Sequence, residues 1–126
     1  MLYYSYEKRK RLDSDVLTFK RIQKMKKHIL NLGLNDKDSK LQEITTLDAY
    51  KIAFNCLKKY YSGGTITEGR GFYTHENGQI VFENSLIITI LYAEDKKTLA
   101  LIEDLKALFN QESILFESSE ISASFI

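Results

Sequence analysis

Residues 65–92, TITEGRGFYTHENGQIVFENSLIITILY, predict a β-hairpin. The arms Thr65–Thr74 and Gln79–Tyr92 are rich in β-branched and aromatic residues, which favour strands. Between them stands Asn77-Gly78, a dipeptide typical of a two-residue type I′ turn, because both central positions of that turn need positive φ. The sequence therefore predicts two antiparallel strands joined by a tight turn.

A two-residue turn also sets the register of the hairpin and suggests a site. Tyr73 would pair with Phe82, and Phe72 with Glu83. Arg70 and Glu83 would then share one face of the sheet, on a diagonal. One interpretation is a simple cross-strand ion pair, and the other is a ligand site. The candidate binding residues on these strands are Arg70, Phe72, Glu83, Asn84 and Ser85.

The segments around the hairpin complete an α+β pattern. His28–Leu34 alternates as a strand does, and residues 113–126 hold either two short strands or one interrupted strand. Two helices are predicted from apolar stripes at steps of three and four residues: Leu47, Tyr50, Phe54, Leu57 and Tyr61, then Leu99, Ile102, Leu105 and Phe109. The order β-α-β-β-α-β with right-handed crossovers predicts a ferredoxin-like sandwich, in which one antiparallel sheet has both helices on one face.

The second face of such a sheet has no helix to cover it. Apolar residues on the hairpin and its neighbours, among them Ile66, Phe72, Val81 and Ile87, include some that point to that bare face. Apolar sheet surface of this kind is usually covered by a partner subunit or an extra segment. We therefore expect a protein partner, a homodimer, or docking of the N-terminal segment.

The N-terminal segment is strongly basic. Residues 1–27 are predicted to be an extension, and residues 28–126 a single α+β domain. Residues 1–30 carry nine lysines and arginines against three acidic residues, a balance of +6, although the whole chain is only +1. Tyrosines 3, 4 and 6 precede the candidate nucleic-acid-binding residues Lys8, Arg9, Lys10 and Arg11, so stacking rings and phosphate contacts would be available together. A solvated or partner-docking arm is the alternative.

The loop after the first predicted strand resembles a calcium-binding loop only superficially. Asp36 and Asp38 alternate as carboxylates do at the start of an EF-hand. That loop requires glycine at its sixth position and glutamate at its twelfth, where this chain has Leu41 and Leu47. A polar turn is therefore the expectation, and no metal site is predicted.

No residue pattern for catalysis is found either. His28 and His75 are expected to be solvated, with no orienting partner nearby in the sequence, and Cys56 to be a small core or boundary residue. The glycines lack the Gly-Lys-Ser/Thr of a phosphate loop, so Gly69 and Gly71 predict a bulge or a close backbone approach. The sequence thus indicates no catalytic residue and no cofactor, and leans against an enzyme.

Composition places the chain in the cytoplasm. Its longest apolar run, around residues 86–91, is too short to span a bilayer, and the order of its N-terminal residues reverses that of a signal peptide. One cysteine permits no internal disulfide, which suits a reducing compartment. We expect a cytoplasmic protein without a membrane partner.

Short stretches after residue 30 carry a family resemblance: Gly64-Thr65, Gly69–Phe72, Gly78–Ser85, Phe109–Leu115 and Ser124-Phe125. In this order they resemble an uncharacterised bacterial family known only as a domain of unknown function. Leu34–Asp38 resembles sequences from low-GC bacteria and their phages or plasmids. The resemblance implies no activity, since the family has none assigned.

These observations favour a small non-enzymatic protein-interaction or regulatory module. If the protein is phage- or plasmid-borne, inhibition of a host defence complex is a natural use for it. The alternative is a nucleic-acid-binding protein that uses residues 1–30 and the sheet face.

Overall fold

The computed structural model describes residues 22–126, which form one four-stranded antiparallel sheet and two helices. The elements are β1 (Gln23–Gly33), α1 (Thr46–Leu57), β2 (Thr65–Thr74), β3 (Ile80–Leu91), α2 (Asp95–Phe109) and β4 (Leu115–Ala123). The strands lie in the order β2-β3-β1-β4, so the two outer strands are β2 and β4. The predicted α+β class and β-α-β-β-α-β order are confirmed.

The core lies between the helices and one face of the sheet. Alternate residues of β1 and β3 are fully buried there, namely Leu30, Leu32, Leu86, Ile88 and Ile90. Leu30 pairs with Ile88 and Leu32 with Leu86, so the buried side chains form continuous rows across the two central strands. Each such side chain contributes about 1.5–3 kcal/mol by leaving water, which fixes which sheet face the helices cover.

Helix α1 buries a face that overlaps the predicted stripe only at Leu57. Its buried residues are Ala49, Ala53, Cys56 and Leu57. Leu47, Tyr50 and Phe54 are exposed, so that part of the predicted stripe is wrong. Small side chains at 49 and 53 let the helix approach the sheet closely, and close-packed interiors leave no room there for large rings. The prediction for Cys56 as a core or boundary residue is confirmed, since it is buried.

Helix α2 and the first and last strands follow the sequence more closely. Ile102, Leu105 and Phe109 are buried as predicted, whereas Leu99 is exposed. β4 is a single uninterrupted strand, Leu115–Ala123. β1 begins at Gln23, five residues before the predicted start of that strand. No helix among residues 22–126 is long and apolar enough to cross a membrane.

The hairpin loop has three residues rather than two. His75 N donates to Gln79 O at 2.8 Å, and Gly78 N donates to His75 O at 2.8 Å. Gly78 has φ +85°, but Asn77 does not have positive φ, so the turn is not type I′. Asn77 Oδ1 instead accepts from Gln79 N at 2.9 Å, which stabilises a tight turn followed by a glycine with positive φ.

The extra loop residue shifts the hairpin register by one. Phe72 pairs with Phe82, Gly71 with Glu83, and Arg70 with Asn84. A shift of one residue moves every side chain of a strand to the other face relative to its partner. Arg70 and Glu83 therefore lie on opposite faces of the sheet, and the predicted pairing between them is wrong.

His28 is buried, so the expectation that it is solvated is wrong. Its ring is fully inaccessible, with Nδ1 2.7 Å from Thr98 Oγ1 and Nε2 3.2 Å from Asp95 Oδ1. Burial lowers the pKa of His28 below its usual value, although the neighbouring Asp95 carboxylate opposes that shift. His28 is buried because alternate residues of β1 share one sheet face. Its side chain therefore lies in line with those of Leu30 and Leu32, beneath α2.

Candidate functional site

The sheet face away from the helices, here called the open face, carries the candidate site. The odd-numbered residues of β1, β2 and β3 point to it, because directly paired residues lie on the same face. Near one end of these strands it combines a carboxylate, a hydroxyl and three glycines. We call this group the Glu83 site: Gly33, Gly69, Gly71, Glu83 and Ser85.

The Glu83 carboxylate is held by β1 and the residues after it. Asn35 N donates to Glu83 Oε2 at 3.0 Å. A β-carbon on Gly33 would lie 2.7 Å from Oε1, Oε2 and Cδ of Glu83. Only a glycine at the end of β1 therefore lets the carboxylate lie over the strand, half-buried and fixed by a backbone amide.

The other two glycines differ, because the Ser85 and Ile87 side chains fill the space over Gly69, whereas Gly71 leaves the site open on the side of β2. A β-carbon on Gly69 would lie 2.7 Å from Ser85 Oγ and 3.2 Å from Ile87 Cδ1. At Gly71 the nearest atom to such a carbon is Glu83 O, at 3.8 Å, so the space above it is free. Both glycines pair with β3 in an uninterrupted register, so neither forms a bulge. Their role is instead that they carry no side chain.

The five predicted binding residues divide between the two faces. Glu83 and Ser85 belong to the Glu83 site, whereas Arg70, Phe72 and Asn84 lie on the helix-covered side. Arg70 and Asn84 pair there and line a shallow cleft with Thr46, the first residue of α1. Arg70 is exposed, as is Phe72. Asn84 Nδ2 donates to the Gln42 side chain at 2.9 Å. The structure therefore does not bring the five residues together in one site.

The other candidate residues lie either outside the described part of the chain or in a hydrogen-bonded loop. Lys8, Arg9, Lys10 and Arg11 lie outside the described residues, as do most of residues 1–27. Asp36 Oδ2 and Asp38 Oδ2 both accept from Asn110 Nδ2 at 2.9 Å, which makes their loop a hydrogen-bonded turn. Across residues 22–126 no group of three or more histidine, cysteine, aspartate or glutamate side chains could hold a metal ion.

Sequence reasoning missed Gly33 and Asn35. They are 48–50 positions from Glu83 in the chain and reach it only because β1 lies beside β3. One signal was present, since a glycine inside a predicted strand often marks a close approach of another group. That signal could not identify Glu83 as the group, because the choice of neighbouring strand is a property of the sheet order.

The arrangement of charge suits a cationic ligand group. Within residues 22–126 Glu83 forms no ion pair, and Ser85 Oγ makes no hydrogen bond, although Ser85 is 9% exposed. A carboxylate that is half-buried and without a countercharge binds a cation more strongly than a solvated one does, because less water screens it. The Glu83 site can therefore offer one fixed negative charge, one hydroxyl and bare strand backbone to a small ligand.

Comparison with known proteins gives a family and a set of similar structures. Residues 29–125 match the family described as "Protein of unknown function (DUF3574)", which confirms the resemblance to an uncharacterised domain family. No curated protein is significantly similar in sequence.

Two solved structures of phage SAM lyase are similar to this chain. The one in complex with S-methyl-5′-thioadenosine is 26% identical with TM-score 0.58, covering 79% of this chain and 89% of that chain. The one in the apo state is 27% identical with TM-score 0.60, covering 81% and 90%. CutA1 from Pyrococcus horikoshii OT3 is 20% identical with TM-score 0.42, covering 78% and 82%.

Proposed function

This chain belongs to the DUF3574 family, and we propose that it binds S-adenosylmethionine and cleaves the bond between its sulfonium sulfur and the γ-carbon of its amino-acid chain. The electron pair of that bond stays on sulfur, which gives neutral S-methyl-5′-thioadenosine. The substrate's own carboxylate oxygen bonds to the γ-carbon, so the second product is a lactone that keeps the α-ammonium charge, and no further reactant is needed. The similarity to the phage SAM lyase supports the substrate class, since it extends over most of both chains at 26–27% identity. The observation that carries the proposal is the Glu83 carboxylate, fixed by Asn35 N on an open sheet face.

The charge of the ligand explains why a carboxylate is suitable. S-adenosylmethionine has a positive sulfonium and a positive α-ammonium group, whereas S-methyl-5′-thioadenosine is a neutral thioether. A charge-assisted contact to Glu83 is therefore available to the substrate and is lost in that product. Such a site holds the substrate and favours departure of the neutral product.

The rest of the nucleoside can use the surface beside Glu83. Among residues 22–126, β2 is an outer strand, and the backbone N–H and C=O groups along its outer edge pair with no other strand of that part of the chain, so a base or a ribose could use them. Gly71 allows close approach to that backbone, and the Ser85 hydroxyl, which lies over Gly69, is a further donor or acceptor. The strand backbone and Ser85 orient the ligand, and Glu83 recognises its positive charge.

Calorimetric titration with S-methyl-5′-thioadenosine, and with an S-adenosylmethionine analogue in which an ammonium group replaces the sulfonium and prevents cleavage, tests the proposal. We expect Glu83→Gln to weaken binding of this analogue by at least about tenfold, while the affinity for S-methyl-5′-thioadenosine changes little. Glu76→Gln, an exposed carboxylate in the hairpin loop, is the matched control. Equal losses for both ligands, or no binding of either by the unmodified protein, would contradict the proposal.

A second candidate function is the protein-interaction module predicted from the sequence. The observation that favours it is a set of large apolar side chains exposed on α1 and the hairpin: Leu47, Tyr50, Phe54, Phe72 and Phe82. Exposed apolar surface of this kind commonly marks a protein contact. A homodimer, or a phage- or plasmid-borne inhibitor of a host defence complex in the cytoplasm, would use it.

Light scattering on the unmodified chain and on Phe72→Ser with Phe82→Ser tests this second function. We expect association that the paired substitution abolishes without a change in thermal stability, since both rings are exposed. A monomeric unmodified chain that also captures no protein from the host would exclude it. Binding of single-stranded nucleic acid, the remaining alternative, rests on Lys8, Arg9, Lys10 and Arg11 and would weaken steeply with salt.

A further inference from the structure

A second cleft lies at the other end of the sheet from Glu83. It has a volume of about 670 Å³ and is formed by β1, the segment before β2, the end of β3, the start of α2 and the C-terminal residues. Leu91, in its wall, is eight positions along β3 from Glu83, which corresponds to about 26 Å of strand. Clefts of this size are typical of small-molecule sites. We call it the aromatic cleft.

Aromatic rings form much of its wall. The rings of Tyr92 and Phe125 are nearly parallel, with an interplanar angle of 16° and centroids 6.4 Å apart. Tyr61 is held more firmly, because its hydroxyl donates to Glu94 O at 2.9 Å and lies 2.8 Å from Thr98 Oγ1. Stacked rings with fixed positions offer flat apolar surface to a planar ligand.

The backbone at Tyr92 is strained in a way that core packing does not explain. Tyr92 has φ +53°, a conformation that is uncommon for bulky residues. Its side chain is nevertheless 49% exposed, so burial of the ring does not offset the strain. Residues held in such conformations cluster at binding and catalytic sites. The ring lies against Phe125 at the mouth of the cleft, and its hydroxyl donates to Gln23 Oε1.

The cleft also carries an excess of positive charge. Lys97 Nζ is paired with Glu94 Oε2 at 2.8 Å. Lys27, on the open face beside Leu91, forms no ion pair with any residue among 22–126. One ammonium group is thus left without a countercharge next to the rings. A ligand that fits both features is planar and aromatic at one end and anionic at the other.

We propose that the aromatic cleft binds a nucleoside monophosphate, whose base stacks on Tyr92 and Phe125 and whose phosphate contacts Lys27. Gly63 and Gly64 lie on the rim, and a β-carbon on Gly63 would meet no atom within 4 Å, so the ribose has room there. The site is separate from the Glu83 site and does not rest on the function proposed for it.

Titration with AMP, adenosine and inorganic phosphate tests this site. The chain has no tryptophan, and three of its eight tyrosines, Tyr60, Tyr61 and Tyr92, line the cleft, so tyrosine fluorescence responds to a ligand there. We expect AMP to bind more tightly than adenosine, and Lys27→Gln to weaken AMP binding by at least about tenfold. Lys51→Gln, at an exposed lysine on α1, is the matched control and leaves AMP affinity unchanged.

Tyr92 supplies the second variant. Tyr92→Gly removes the ring and relieves the positive φ, so we expect AMP affinity to fall while the thermal midpoint is kept or raised. Tyr92→Phe keeps the ring and the affinity. Equal affinity for AMP and adenosine, or unchanged affinity in Lys27→Gln, would overturn the proposal. Tighter binding of single-stranded oligoadenylate than of AMP, with a steep salt dependence, would also overturn it in favour of a nucleic-acid surface.

Discussion

The side-chain carboxylate of Glu83 occupies the space that a β-carbon on Gly33 would need. Both carboxylate oxygens would lie 2.7 Å from such a carbon, and Oε2 accepts from Asn35 N at 3.0 Å. Real β-carbons do not approach other atoms so closely, so any side chain at position 33 would displace the end of Glu83. The orientation of the only fixed charge in the Glu83 site thus depends on one methyl group being absent.

Gly33→Ala should therefore weaken S-adenosylmethionine binding without unfolding the protein. The carboxylate is the far end of a flexible side chain and can rotate away, so the folded state survives while the hydrogen bond from Asn35 N is lost. We expect a loss of affinity of about tenfold, as for loss of a charge-assisted hydrogen bond. Calorimetric titration with the uncleavable S-adenosylmethionine analogue measures it.

Gly71→Ala is the matched control for that prediction. A β-carbon at Gly71 makes only ordinary contact, at 3.8 Å from Glu83 O, and leaves the carboxylate in place. An affinity loss in Gly71→Ala as large as that in Gly33→Ala would show that crowding of the site, rather than displacement of Glu83, is responsible.

The hairpin loop gives a prediction for stability. Gly78 has φ +85°, and a β-branched residue resists that conformation. Gly78→Val should lower the free energy of unfolding by about 1–3 kcal/mol, although a β-carbon there would meet no atom within 4 Å. Asn77→Asp keeps the oxygen that accepts from Gln79 N and should cost much less. Urea denaturation measures both, and an unchanged midpoint in Gly78→Val would contradict the observed turn.

The buried His28 should make stability depend on pH. Because burial lowers the pKa of His28, the unfolded chain binds a proton at a higher pH than the folded chain does. The free energy of unfolding is then greatest above the usual imidazole pKa of about 6.5 and falls as the pH drops through and below it. The Asp95 carboxylate is exposed and screened by water, so its attraction does not reverse the effect.

Urea midpoints between about pH 7.5 and pH 5.5 test this dependence. We expect His28→Gln to flatten the curve and His75→Gln, at an exposed position, to leave it as in the unmodified protein. A midpoint that rises as the pH falls would mean that the ion pair with Asp95 outweighs burial.

Much of the fold was predictable, because the periodicities of strands and helices are local. The alternation in β1 and the stripe in α2 placed Leu30, Leu32, Ile102 and Leu105 in the core. The apolar stripe in α1 predicted the buried face only in part, because the size of the side chains decides which face packs on the sheet. Ala49 and Ala53 fit against the sheet, whereas Tyr50 and Phe54 do not. Apolar character alone does not distinguish these faces.

The Glu83 site was less predictable than the fold. Its composition depends on the β2–β3 register to within one residue and on the pairing of β3 with β1, which is distant in the sequence. Asn77-Gly78 is compatible with loops of two or three residues, and the difference moves Arg70 to the face opposite Glu83. Gly33 and Asn35 reach Glu83 only through the pairing of β1 with β3. No local pattern encodes either relationship.

The release of S-methyl-5′-thioadenosine is the most direct test of the proposed activity. The purified full chain is incubated with S-adenosylmethionine, and the products are separated by chromatography and identified by mass. The account predicts S-methyl-5′-thioadenosine in amounts exceeding the protein, a rate reduced by at least about tenfold in Glu83→Gln, and no change in Glu76→Gln. S-adenosylmethionine recovered intact, or the same rate in Glu83→Gln as in the unmodified protein, would contradict it.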